Sequence, residues 1–133
     1  MKRVTRIALF GMLALSSATI FAAGSPRALA PAQGGLWDVS RSADGRNPTR
    51  LCIPDLAVLA QFEHRGGTCT RVVVSDAGTS AKIHYTCADG GFGQSELTLI
   101  TPRTIRVDTQ GISGGFPFHY QLHARRVGNC PAR

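Results

Sequence analysis

The side chains best able to do chemistry in this sequence are its four cysteines, Cys52, Cys69, Cys87 and Cys130, and its histidines. Thiolates hold metals or act as nucleophiles when they stand in close pairs or beside a base. Here 16, 17 and 42 residues separate successive cysteines, so no local C-x-x-C hook exists. An even count in a small domain fits disulfide bonds instead, and four cysteines allow three connectivities. The expected connectivity is sequential, Cys52 with Cys69 and Cys87 with Cys130. In the chain-entropy treatment such links restrict the unfolded chain by about 3 and 4 kcal/mol. Cys130 stands near the end of the sequence, where a chain ordinarily frays, and a bond there would pin the last strand.

Other chemistry is less well provided for. His119 and His123 have the spacing of a helical zinc pair, but four residues along a strand separate them by about 13 Å. A copper or zinc site would need His84 brought alongside one of them from another strand. The expectation is that these three imidazoles are solvated, with no metal and no cofactor. No G-x-S-x-G elbow is present, and Ser113 in "GISGG" reads as part of a flexible loop. "GGFG" has neither the spacing nor the strand-to-helix setting of a nucleotide loop. None of the eight carboxylates pair at short range. The residues point away from an enzyme. A histidine-based metal binder or a small hydrolytic enzyme is the alternative reading.

The elements that must carry these side chains begin after a leader. "MKRVTRIALFGMLALSSATIFAAGSPRALA" has a basic start, an apolar run and then small residues, the order of a secretory signal peptide spanning 1–30. Ala28-Leu29-Ala30 offers a small-x-small cut with Pro31 just after it. Ala22 or Ala23 is the competing position. A membrane anchor is the other reading of the apolar run, but Gly11 and several Ser and Thr residues dilute it. Of the 15 Lys and Arg residues, four precede Pro31, whereas all eight Asp and Glu residues follow it, leaving +3 for residues 31–133. The high overall pI therefore reads largely from the leader. The remaining arginines are scattered and show no stacking pattern with aromatics, so nucleic acid is not an expected partner. Residues 31–133 are enough for a single domain.

Within that domain "GGLWDVS" and "RLCI" read as strands around turn dipeptides, with Trp37 and Val39 sharing a face. "PDLAVLAQFEH" is the one helical candidate, with Pro54 and Asp55 suited to its first turn. "CTRVVVS" and "SAKIHYTC" flank "DAGT" as a hairpin. "SELTLI" and "TIRVDT" flank "TPR", "QGISGGFP" reads as a loop, and "FHYQLHARRV" alternates as the last strand. The fold class is mainly all-β: an antiparallel meander curled into a half-barrel or small barrel, with one short helix.

"GLWDV", "LCIPD", "TC", "IHYTCADGGFG" and "RRVGNC" follow one another in an order that resembles a family of small exported bacterial proteins, a domain of unknown function (thirty-six seventeen). That family reads P-G-L-W-E, C-x-T-P-E, two further cysteines and G-R-R-L-G-D-C. Here Asp38 stands for the usual Glu, Ile53-Pro54-Asp55 lacks the Thr, Asn129 replaces an Asp, and the insert after the first strand is short. The resemblance implies a periplasmic or secreted, disulfide-bonded domain and carries no activity or ligand with it.

A curled sheet has a concave face, and a ligand pocket there would be lined by Trp37, Tyr85, Phe118 and Tyr120, with Phe92 and Phe116 at its rim. If side chains fill the cup, the same residues are simply core. The expected function is a non-enzymatic binding or envelope-accessory module for a small apolar ligand or an envelope component. Arg125 and Arg126 could meet anionic lipid or polysaccharide, or pair with Asp38.

Overall fold

The computed structural model describes residues 24–132. Residues 1–23, which hold most of the leader-like segment, lie outside the described residues. No helix among those described is long and apolar enough to cross a membrane.

Seven strands form one antiparallel sheet: β1 (Gly35–Ser40), β2 (Thr49–Ile53), β3 (Cys69–Ala77), β4 (Ser80–Cys87), β5 (Phe92–Thr101), β6 (Thr104–Ser113) and β7 (Phe116–Gly128). Their order, β2-β1-β7-β6-β5-β4-β3, leaves β2 and β3 as free edges, so the sheet curls without closing. Strands β3 to β7 are a plain meander. The β1–β2 hairpin is added on the far side of β7, with Asp38 opposite Arg125 and Val39 opposite Ala124.

Two 3₁₀ elements fill the cup. The first, η1 (Arg27–Leu29), precedes β1. The second, η2 (Leu56–His64), carries the chain from the β2 edge to the β3 edge and packs on β4, β5 and β6. The helix expected over "PDLAVLAQFEH" is thus wound as 3₁₀ turns and kinked at Gln61. Asp55 caps it, accepting the Ala57 N–H. The segment buries Leu56, Ala57, Leu59, Ala60, Gln61, Phe62 and His64, more than one stripe of its surface. Two short tight turns can press more of their side chains onto the sheet than one straight α-helix, which buries a single face.

Strand faces follow the expected alternation. Trp37, Val39, Ala81, Ile83, Tyr85, Leu97, Ile105, Val107, Leu122 and Ala124 are all buried on the concave side. The loop expected over "QGISGGFP" is shorter than that. β6 and β7 run up to Gly114-Gly115, whose φ values of 57° and 81° make the two-residue turn that only glycine adopts without strain.

The cysteine pairing differs from expectation. Cys52 bonds Cys130, and Cys69 bonds Cys87. Cys69 and Cys87 sit directly opposite one another in the β3–β4 hairpin. Cys52 lies on β2, and the tail beyond β7 crosses the end of β1 to reach it. The tail is therefore tied to a sheet edge and not to mid-sheet.

Candidate functional site

Side chains fill the concave face around Trp37 and Tyr85. Trp37 and Tyr85 are fully buried, Trp37 donating its indole N–H to the Gln33 carbonyl at 3.3 Å. Phe118 and Tyr120 are half-buried, their rings 5.7 Å apart. Phe92 and Phe116 are exposed at the end of the sheet near the Gly114-Gly115 turn. The six aromatic residues expected to line one pocket are divided between core and rim, and no described cavity collects them.

An open cleft lies at the edge of the same face, beneath the β1–β2 loop. It has a volume of about 560 Å³ and is lined by Val39, Arg41, Ser42, Arg46, Asn47, Thr49, Phe62 and Leu122. Its apolar base comes from β1, β7 and η2, and its polar rim from the loop. The loop is shaped by Gly45 and Asn47, both at positive φ, and by the Ser40 hydroxyl donating to the Arg46 carbonyl at 2.5 Å. Asp44 accepts from the Ser42 hydroxyl and the Arg46 N–H, which hold its carboxyl below the usual carboxylate range. Two guanidinium groups therefore face an opening with an apolar interior.

Behind the cleft runs a polar network. Arg41 lies 3.9 Å from the centre of the Tyr120 ring and 3.7 Å from the Glu63 carboxylate. The Tyr120 hydroxyl donates to the same carboxylate at 2.6 Å. Burial and the charge on Glu63 push the Tyr120 phenol well up. Tyr85 is pushed up to about 12, by burial first and Glu63 second. Both phenols stay protonated at neutral pH, and Tyr120 acts as a donor to Glu63. The Tyr85 hydroxyl and His64 Nδ1 share a hydrogen bond at 3.0 Å, while His64 Nε2 is buried and without a partner among the described residues. The gap that admits this ring is Gly91, where a Cβ would overlap Nε2.

His84, His119, His123, Asp38 and Arg125 are dispersed over the convex face. Strands β5 and β6 separate His84 on β4 from His119 and His123 on β7. At ~4.8 Å per strand that is about 14 Å, so cross-strand pairing does not bring the imidazoles together. His119 bonds Asp108 at 2.9 Å instead, and the described residues contain no cluster of three metal-ligating side chains. Asp38 is held bidentate by Arg50 at 2.7 and 2.9 Å, with Arg125 its neighbour across the sheet. Arg126 turns away to the Gly34 carbonyl and Asn129.

Residues 30–130 match the model of a family described as a protein of unknown function, DUF3617. The chain belongs to that family. No curated protein and no solved structure matches it. The DUF3617 match takes in all seven strands and both disulfides, and it begins just after η1. Within this DUF3617 domain, reading by sequence motif passed over Arg41, Arg46, Phe62, Glu63 and His64. The signal available was slight: two arginines flanking an Asp-Gly turn, and a Phe-Glu-His run closing the helical segment.

Proposed function

We propose that this chain is an exported, non-enzymatic binding module that takes a small amphipathic anion in the cleft beneath the β1–β2 loop. The observation that carries the reading is the pairing of an apolar base, Val39, Phe62 and Leu122, with a rim bearing Arg41 and Arg46. A ligand with one carboxylate or phosphate and a short apolar body satisfies both halves. Both guanidinium groups already face carboxylates, Arg41 with Glu63 and Arg46 with Asp44. The Arg46–Asp44 pair is solvent-exposed, and such pairs are worth only about 0–1 kcal/mol, so a ligand displaces it at little cost, while Arg41 is held in place by Tyr120 and Glu63. The leader-like start and two disulfides support export, because disulfides persist in oxidising compartments. All four cysteines are engaged in disulfides, so no thiol is free to act as a nucleophile, which supports a non-enzymatic role.

The test is titration of the secreted protein with decyl phosphate and with decanol as the uncharged control. Saturable binding of the phosphate is expected, weakened roughly tenfold or more in Arg41→Ala/Arg46→Ala, since charge-assisted hydrogen bonds contribute about 1.5–3 kcal/mol each. Equal affinity for phosphate and alcohol, or an unchanged double variant, would sink the proposal.

A further inference from the structure

The leader-like segment offers two places for an export peptidase to cut, and the folded domain distinguishes them. Leu29 is 1 % exposed and Ala28 5 %. Leu29 belongs to the same apolar cluster as Trp37, Ile83, Leu97 and Ile105. The turn that carries them, η1, sits against β3, β4 and β5. Asp76, at the end of β3, accepts the backbone N–H of Arg27 at 2.7 Å and of Ala28 at 2.8 Å. Upstream, the Ser25 hydroxyl donates to Asp55 at 2.7 Å. Downstream, Ala32 packs against the same apolar cluster. Residues 25–32 are thus joined to the domain along their whole length.

Resting on the export reading above, we infer that the leader is removed at Ala22-Ala23-Gly24, upstream of Ser25, and that Ser25–Ala30 remains in the mature protein as a plug for the sheet. Hydrolysis adds water across one peptide bond, leaving a carboxylate on the departing leader and an amine on the new first residue. An export peptidase meets the chain before it folds, so burial does not shield the Ala30–Pro31 bond. Two other facts decide against it. Proline at the first position after the cut lacks an N–H and fixes φ, which makes that bond a poor substrate. The product of such a cut would also lack Leu29 and leave an apolar hole between η2 and β3–β5, the kind of cavity that strongly destabilises a small core. Ala22-x-Gly24 meets the small-x-small rule and places Ser25, not a proline, first in the product. The match to the DUF3617 family starts at residue 30, so the plug is an extension of this chain beyond the part shared with the family model.

The experiment is intact mass and N-terminal sequencing of the full chain expressed with its own leader and recovered from the exported fraction. A first residue at Ala23, Gly24 or Ser25 is expected. A first residue of Pro31 would overturn the inference and leave the export reading standing. A chain still beginning at Met1 would overturn both. The plug role is read separately with Leu29→Ala, which keeps both cut motifs. Its unfolding equilibrium constant should rise roughly 30-fold or more, and a variant as stable as the parent would overturn that role.

Discussion

Tyr85 shows how much a single missing methyl group arranges. Its ring lies over Gly93 on the adjacent strand, where a Cβ would come within 2.6–2.7 Å of the hydroxyl and ring carbons. That free space lets the phenol reach His64, which closes η2 onto the sheet. Gly93→Ala should therefore displace the ring and lower stability by about 1–3 kcal/mol, the usual cost of overpacking. Equilibrium urea unfolding measures this, and a variant with an unmoved midpoint would contradict the packing described. Ser95 is a second such point. Buried in β5, it donates to the Ala60 carbonyl of η2 at 2.5 Å and shares a 2.7 Å hydrogen bond with Thr109. Ser95→Ala removes the donor to that carbonyl and the buried partner of Thr109, at an expected cost of about 1–3 kcal/mol. The same unfolding experiment, with Thr98→Ala on the polar face as a control, checks it.

At the level of elements, the two disulfides have different work. Cys69–Cys87 joins residues that hairpin register has already placed opposite one another, closing a span of 18 residues. Cys52–Cys130 closes a span of 78 and ties both the short β2 edge and the tail. Loop entropy alone ranks them at about 3 and 4.5 kcal/mol. Cys52→Ser/Cys130→Ser should cost more stability than Cys69→Ser/Cys87→Ser; the reverse order in denaturant unfolding would refute the ranking. The Cys69–Cys87 pairing was within reach of the sequence. Cys69 stands eight residues before, and Cys87 seven after, the turn-flanking pair Ala77 and Ser80. The one-residue difference is the bulge near Val74, so the predicted hairpin already implied the bond. Spacing read as loop entropy obscured it, because entropy favours a link without saying which side chains face each other. Strand faces were legible because alternation is local. The cleft was not, since Arg41, Phe62 and Leu122 belong to three elements that meet only once β1 has been added beside β7. The 3₁₀ winding of η2 was hidden for a similar reason. Its sequence suits a helix, and the curled sheet that flattens it is a tertiary feature.

For the molecule as a whole, an open sheet of seven strands with one bridging segment has few independent parts, so its ionisable groups should act on global stability. On the acid side Asp38 is held below the carboxylate range by its Arg50 hydrogen bonds, Asp76 by the N–H groups of Ala28 and Arg27, and Asp108 by Gln121 and then His119. A carboxylate whose folded value is depressed adds stability above its unfolded value, near 3.8, and that stability disappears as pH falls through the folded value. On the alkaline side the sign is reversed. Tyr85, raised from 10.0 to about 12, adds stability that is complete below 10 and is lost as pH climbs through the folded value. Tyr120 acts in the same direction through burial and Glu63. The urea midpoint should therefore trace a plateau with two shoulders, falling below about pH 4 and again above about pH 10. Each shoulder has its own variant. Asp76→Asn should flatten part of the acid limb and leave the alkaline limb alone. Tyr85→Phe keeps the ring but removes the proton, so it should flatten only the alkaline limb. An acid limb unchanged in Asp76→Asn would mean that the η1 latch does not report on global folding, and that the plug opens independently of the sheet it covers.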